Sequence, residues 1–158
     1  MSSSILYDAL MMTEAEGRGL AGIPKTGDPR SDWRQERKNT HTNAIGVMDE
    51  FGRTLEGMYA EFDVFSSPNL KITVYLFTMY RKIKKGDKER VYQLEINLAK
   101  GIRPTEHRYS HEHYGEPSFK ADESWASAGF QDAVKRFCTN TNLTLSSELP
   151  DYLSIQLR

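Results

Sequence analysis

The chain has 158 residues, of which 38% are apolar and 27% charged, and 21 Lys and Arg face 22 Asp and Glu for a net charge of −1. That length suits one domain burying about 70% of its unfolded surface, so a core forms without disulfides or a structural metal. The balanced charge excludes a uniformly basic coat for nucleic acid but not a local patch, and the single Cys138 excludes an internal disulfide.

The most apolar run, residues 72–80, contains Thr73 and Thr78 and falls far short of the ~18 residues of a membrane span. The first residues lack the basic leader and small-residue cleavage site of an export signal. The expectation is therefore a cytoplasmic protein with no membrane partner.

In chain order, residues 5–16 predict a short helix capped by Ser4 and stopped by Gly17, Gly19 and Gly22. Residues 17–43 hold four glycines, two prolines, and six basic against three acidic residues, which predicts a flexible basic arm. Asp32 and Gln35 fit a capping box for one short helix in it. Trp33, with Arg34 and Arg37 beside it, is the candidate anchor for a protein partner. The alternative is that Trp33 pins the arm to its own domain.

The expected domain, 44–158, begins where the pattern changes to period two. Strands are predicted over 44–51, 54–65, 70–80 and 90–98, joined by short turns into an antiparallel meander. The third carries apolar or aromatic residues on both faces, which predicts a strand covered on both sides. Residues 99–122 read as irregular. Residues 127–139 predict a helix, with Phe130, Val134, Phe137 and Cys138 on one face and Ser127 as cap. Cys138 there reads as a small core residue. A late edge strand is expected over 152–157. The fold class that follows is α+β: an antiparallel meander of four to five strands packed against one or two helices.

Three of the four histidines lie in residues 106–116. Imidazole is the side chain that both accepts and donates protons near neutral pH. If the segment is extended, His111 and His113 share a face; on a helix, His107 and His111 would align instead. Two chemistries fit. One is metal-free acid–base cleavage of RNA, with His111 and His113 moving protons, Arg108 holding the phosphate and Tyr109 donating or stacking. The other is a divalent metal held by His111, His113 and Glu116, although no established zinc-ligand spacing is present. No other cofactor is implied. The hairpin around Arg81, Lys82, Lys84, Lys85 and Lys88 is the candidate nucleic-acid contact, or else a soluble, lysine-rich tip. Aromatics Tyr75, Phe77, Tyr80 and Tyr92 suit either a core or a stacking surface for single strands.

Tyr92-Gln93-Leu94-Glu95-Ile96-Asn97 on the last meander strand, Ser110-His111-Glu112-His113 followed by Gly115-Glu116, and the helix around 130–137 together resemble the TumE-type toxins of bacterial toxin–antitoxin systems. The resemblance spans about residues 54–138, with His107 alone where such toxins carry a His-His pair. It implies a small cytoplasmic toxin acting on RNA, neutralised by an antitoxin, with His111 and His113 as its site. The alternative is a non-enzymatic protein-binding inhibitor of the phage anti-defence, antitoxin or immunity type, working through the arm and Trp33. Oligomeric state is open.

Overall fold

The chain folds as an α+β protein, described by a computed structural model over residues 12–151 apart from 68, 70, 71, 85 and 100. The elements run α1 (Glu14–Ala21), β1 (Lys25–Gly27), β2 (Arg34–Arg37), β3 (Thr40–Asp49), β4 (Thr54–Ser67), β5 (Ile72–Lys84) and β6 (Asp87–Asn97). They continue with β7 (His111–Tyr114), β8 (Ser118–Lys120), a 3-10 turn (Glu123–Ser127), α2 (Phe130–Thr141) and β9 (Leu143–Leu145).

The predicted meander is present: β3, β4, β5 and β6 pair antiparallel in sequence order. The sheet is larger than the four to five strands expected. It has nine strands in the order β8-β7-β6-β5-β4-β3-β1-β9, with β2 also on β3, and only β1 and β9 pair parallel. The additional strands are three or four residues long, too short for a period to register in the sequence.

Alternation divides the strands between two faces. Met58, Ala60, Phe62 and Val64 of β4, Tyr75, Phe77 and Met79 of β5, and Tyr92, Leu94 and Ile96 of β6 are buried. Phe130, Ala133, Val134 and Phe137 of α2 complete the same core. Phe62, Phe77 and Phe137 meet edge to face at centroid distances of 5.1 to 6.1 Å. The opposite face carries no helix among the described residues. Tyr59, Glu61, Asp63, Leu76, Gln93 and Glu95 lie there, half-buried at most. A helix thus covers β5 on one face, whereas on the other Thr78 is buried among its strand neighbours with no helix over it among the described residues.

Residues 17–43 are built into the fold rather than forming an arm. β1 pairs with β3 and β9, and β2 occupies the place where a short helix was expected. Lys25 explains part of this order. It is 2% exposed, and its Nζ donates to the carbonyls of Ala21, Ile23 and Thr141 at 3.0, 2.6 and 2.8 Å. One ammonium therefore closes the C-terminal ends of both helices, where orphan carbonyls and the helix dipole favour a cation. Burial pushes its pKa down to about 8.

Within the described residues α1 starts behind a Thr13–Glu16 capping box and continues through Gly17 and Gly19, expected to stop it, to Ala21. Gly17 is required by packing. A Cβ there would sit 2.4 Å from the backbone nitrogen of Gly115, so the missing side chain lets α1 lie directly on β6 and β7. α2 begins at Phe130 rather than at residue 127, because 123–127 winds as a 3-10 turn first. Residues 5–11 of the helix expected over 5–16, the strand over 152–157 and Lys85 lie outside the described residues.

Candidate active site: a histidine cleft on the open face of the sheet

Residues 99–122, expected to be irregular, contain the strand that builds the site. Ser110 starts it: its hydroxyl accepts from the Asn97 N–H at 2.9 Å, and its carbonyl accepts from Ala121 N–H at 3.0 Å. β7 then pairs with β6 so that His111 stands opposite Glu95 and His113 opposite Gln93. The extended backbone puts both imidazoles on the open face with ring centroids 5.0 Å apart. His107, from the preceding loop, lies 6.0 Å from His111. The competition between extended and helical spacing is thus resolved: the strand pairs His111 with His113, and the loop brings His107 back.

The other two residues of β7 hold it from behind. Tyr92 Oη donates to the Glu112 carboxylate at 2.6 Å, and Asn140 Nδ2 of α2 reaches Tyr92 Oη at 2.9 Å and the same carboxylate at 3.3 Å. Tyr114 packs on Tyr92 at 4.8 Å, with the Arg18 guanidinium 4.0 Å from its ring. A polar tie from α2 and a cation–π contact from α1 therefore set the position of the histidine strand.

On the open side the histidines line a cleft of about 650 Å³, whose walls include Lys88, Glu89, Arg90, Gln93, Glu95 and Glu116. The tautomers follow from the partners. His111 Nδ1 contacts the Tyr109 carbonyl at 2.7 Å, and His113 Nδ1 contacts the Glu116 carbonyl at 3.1 Å. A carbonyl only accepts, so Nδ1 is the protonated nitrogen in both rings, and Nε2 is the nitrogen left for chemistry. His111 is 8% exposed and has the Glu95 carboxylate 3.6 Å from Nδ1. Burial pushes His113 down to about 4, and positive charge on Arg90 adds to the effect, so its ring is neutral at pH 7.

The remaining predicted residues divide. Arg108 is exposed and pairs with Glu106 at 2.8 Å, outside the cleft wall. Tyr109 contributes its carbonyl, while its side chain borders a separate hollow with Leu98 and Ile102. Of the basic hairpin, Arg81 pairs with Glu89 at 3.3 Å and Lys84 with Asp87 at 3.9 Å. Lys88 lies 4.1 Å over the Tyr80 ring and Lys82 lies 5.6 Å from that of Tyr59. Of the described hairpin lysines, Lys88 lines the histidine cleft.

Glu116 turns its carboxylate toward Arg90 at 3.7 Å, and Arg90 also donates to the carbonyls of Gly115 and Glu116 at 3.2 and 3.3 Å. Among the described residues no three His, Cys, Asp or Glu side chains converge as a metal-ligand set. Trp33 donates to the Pro150 carbonyl at 2.9 Å and packs edge-on against Phe130 at 5.8 Å, while Arg34 and Arg37 stay exposed on β2. Cys138 is half-buried against the core, and burial pushes its thiol up to about 11.

Arg90, Gln93 and Glu95 were not anticipated. The signal for Gln93 and Glu95 was the polar half of the β6 alternation, the positions between Tyr92, Leu94 and Ile96, whereas Arg90 precedes a register shift that the alternation does not mark. The chain matches no family model, no curated protein and no solved structure. No helix among the described residues is long and apolar enough to cross a membrane.

Proposed function

We propose that the protein is an endoribonuclease of toxin-like character that cleaves RNA by acid–base catalysis at His111 and His113. The observation that carries this reading is the pair of imidazoles 5.0 Å apart, each with Nδ1 on a carbonyl and Nε2 left for a substrate. Two such rings on one strand face lie close enough to act on a single phosphodiester.

His113, neutral at pH 7, takes the proton of a ribose 2′-hydroxyl at Nε2. The 2′ oxygen attacks phosphorus, and the bond from phosphorus to the 5′ oxygen breaks. A proton passes from Nε2 of His111 to the leaving 5′ oxygen. Glu95, 3.6 Å from Nδ1 of His111, stabilises the positive ring, as an acid orients a catalytic imidazole elsewhere. Lys88 and Arg90 in the cleft wall stabilise charge on the phosphoryl oxygens. The products are a 2′,3′-cyclic phosphate and a 5′-hydroxyl. Action on RNA in the cytoplasm, with His111 and His113 as the site, is also what the resemblance to TumE-type toxins implies.

The test is incubation of unstructured RNA with the purified protein and with the His111→Ala/His113→Ala variant, each with and without EDTA. Cleavage leaving cyclic phosphate ends, unaffected by EDTA and reduced at least about 100-fold in the variant, is expected. Wild-type protein that leaves every RNA intact overturns the reading. Activity lost in EDTA moves the chemistry to a metal.

A further inference from the structure

The open face next to the cleft carries two aromatic rings that the core does not use. Tyr75, Phe77 and Tyr92 are buried beneath α2, whereas Tyr80 points the other way and pairs across the sheet with Tyr59. The two half-buried rings lie 5.4 Å apart and tilted by 31°. Next to Tyr59, on the preceding strand β3, stands Gly46, and a Cβ built there meets nothing within 4 Å. The surface beside Tyr59 is therefore open. Two cations flank the pair: Lys82 on the Tyr59 side and Lys88 over Tyr80. Lys88 also lines the histidine cleft, and Tyr80 is paired in register with Arg90 of its wall. Platform and cleft are thus continuous.

We propose that Tyr59 and Tyr80 form a stacking subsite for a base of single-stranded RNA flanking the phosphate held in the cleft. This rests on the reading of the cleft as a ribonuclease site and adds its substrate class. Half-exposed tyrosines bordered by lysines match a nucleotide on both counts: a planar apolar base and an anionic phosphate. A double helix hides its base faces, so the subsite selects unpaired strands. When a base stacks on Tyr80, the Lys88 ammonium leaves the ring face and pairs with the adjoining phosphate.

The experiment separates binding from cleavage. A fluorescein-labelled single-stranded RNA with every 2′-hydroxyl methylated cannot be cut, and its anisotropy reports affinity alone. Tyr59→Ala/Tyr80→Ala is expected to bind about tenfold more weakly than wild type, and Tyr59→Phe/Tyr80→Phe within about twofold. Gly46→Leu, which fills the open space beside Tyr59 without altering either ring, is expected to weaken binding about fivefold while melting like wild type. A duplex of the same sequence should bind more weakly than the single strand. Equal affinity of wild type, the alanine pair and Gly46→Leu overturns the proposal, as does wild-type protein that does not bind the strand. Tyrosine-dependent binding by a protein that cleaves no RNA leaves the platform standing and removes the ribonuclease reading.

Discussion

The two faces of the sheet use the same strands for opposite purposes. Beneath α1 and α2, Phe62, Phe77, Met79, Tyr92, Leu94 and Ile96 are withdrawn from water and hold the fold. On the open face, one residue along each strand, stand Tyr59, Asp63, Gln93, Glu95, His111 and His113. The difference teaches that a rigid apolar layer lets titratable groups sit a few ångströms apart without the fold depending on them. β7 shows both roles within four residues: Glu112 and Tyr114 are tied to the helices, and His111 and His113 face the cleft.

The comparison breaks most severely at Phe77. It is fully buried against Phe62, Phe130 and Phe137, so Phe77→Ala should cost about 3–5 kcal/mol by denaturant titration, removing fold and activity together. Next is the seam between α1 and β7. Gly17→Ala forces a methyl into backbone 2.4 Å away, and the loss should be about 1–3 kcal/mol, seen as a lowered melting temperature. Asn140→Ala removes the donor that ties α2 to Tyr92 and Glu112. It should cost about 1–2 kcal/mol and speed amide exchange in β7 more than in β4 and β5.

The open face should respond differently. His111→Ala/His113→Ala should change stability by less than about 1 kcal/mol while removing the proposed cleavage, because both rings line the cleft and take no part in the aromatic core. His113 also gives a pH signature. Its pKa falls from 6.5 in the unfolded chain to about 4 in the folded one, so the unfolded chain binds the proton first as pH drops. The associated stability is fully present above pH 6.5 and is lost between there and about pH 4. Urea titrations across that window should show this loss in wild type and not in a His113→Gln variant.

Much of the core-facing layer was legible before any coordinates. Met58, Ala60, Phe62 and Val64 alternate in an uninterrupted strand, and Phe130, Val134 and Phe137 recur at helical spacing, so local periodicity identified β4 and α2. The shared face of His111 and His113 was also legible, since it follows from extended backbone alone. The ordering of residues 17–43 was not. Lys25–Gly27 is three residues long and takes its partners from Val47–Asp49 and Leu143–Leu145, far away in the chain. The burial of Lys25 depends on carbonyls from two helix ends that no local pattern announces. Arg108 is a residue type suited to phosphate, but its neighbour Glu106 claims it, while Arg90 reaches the cleft from another strand. Proximity in sequence pointed to Arg108; strand register places Arg90 in the cleft wall.

The central claim is that His111 and His113 are held as Nδ1–H tautomers, with Nε2 presented to the cleft. Nitrogen-15 correlation spectra of the imidazole side chains, recorded from pH 3.5 to 8, test it directly. The account predicts protonated Nδ1 and unprotonated Nε2 in both rings at pH 8, with His113 titrating near pH 4. Rings carrying the proton on Nε2, or a His113 midpoint at or above 6.5, would contradict it.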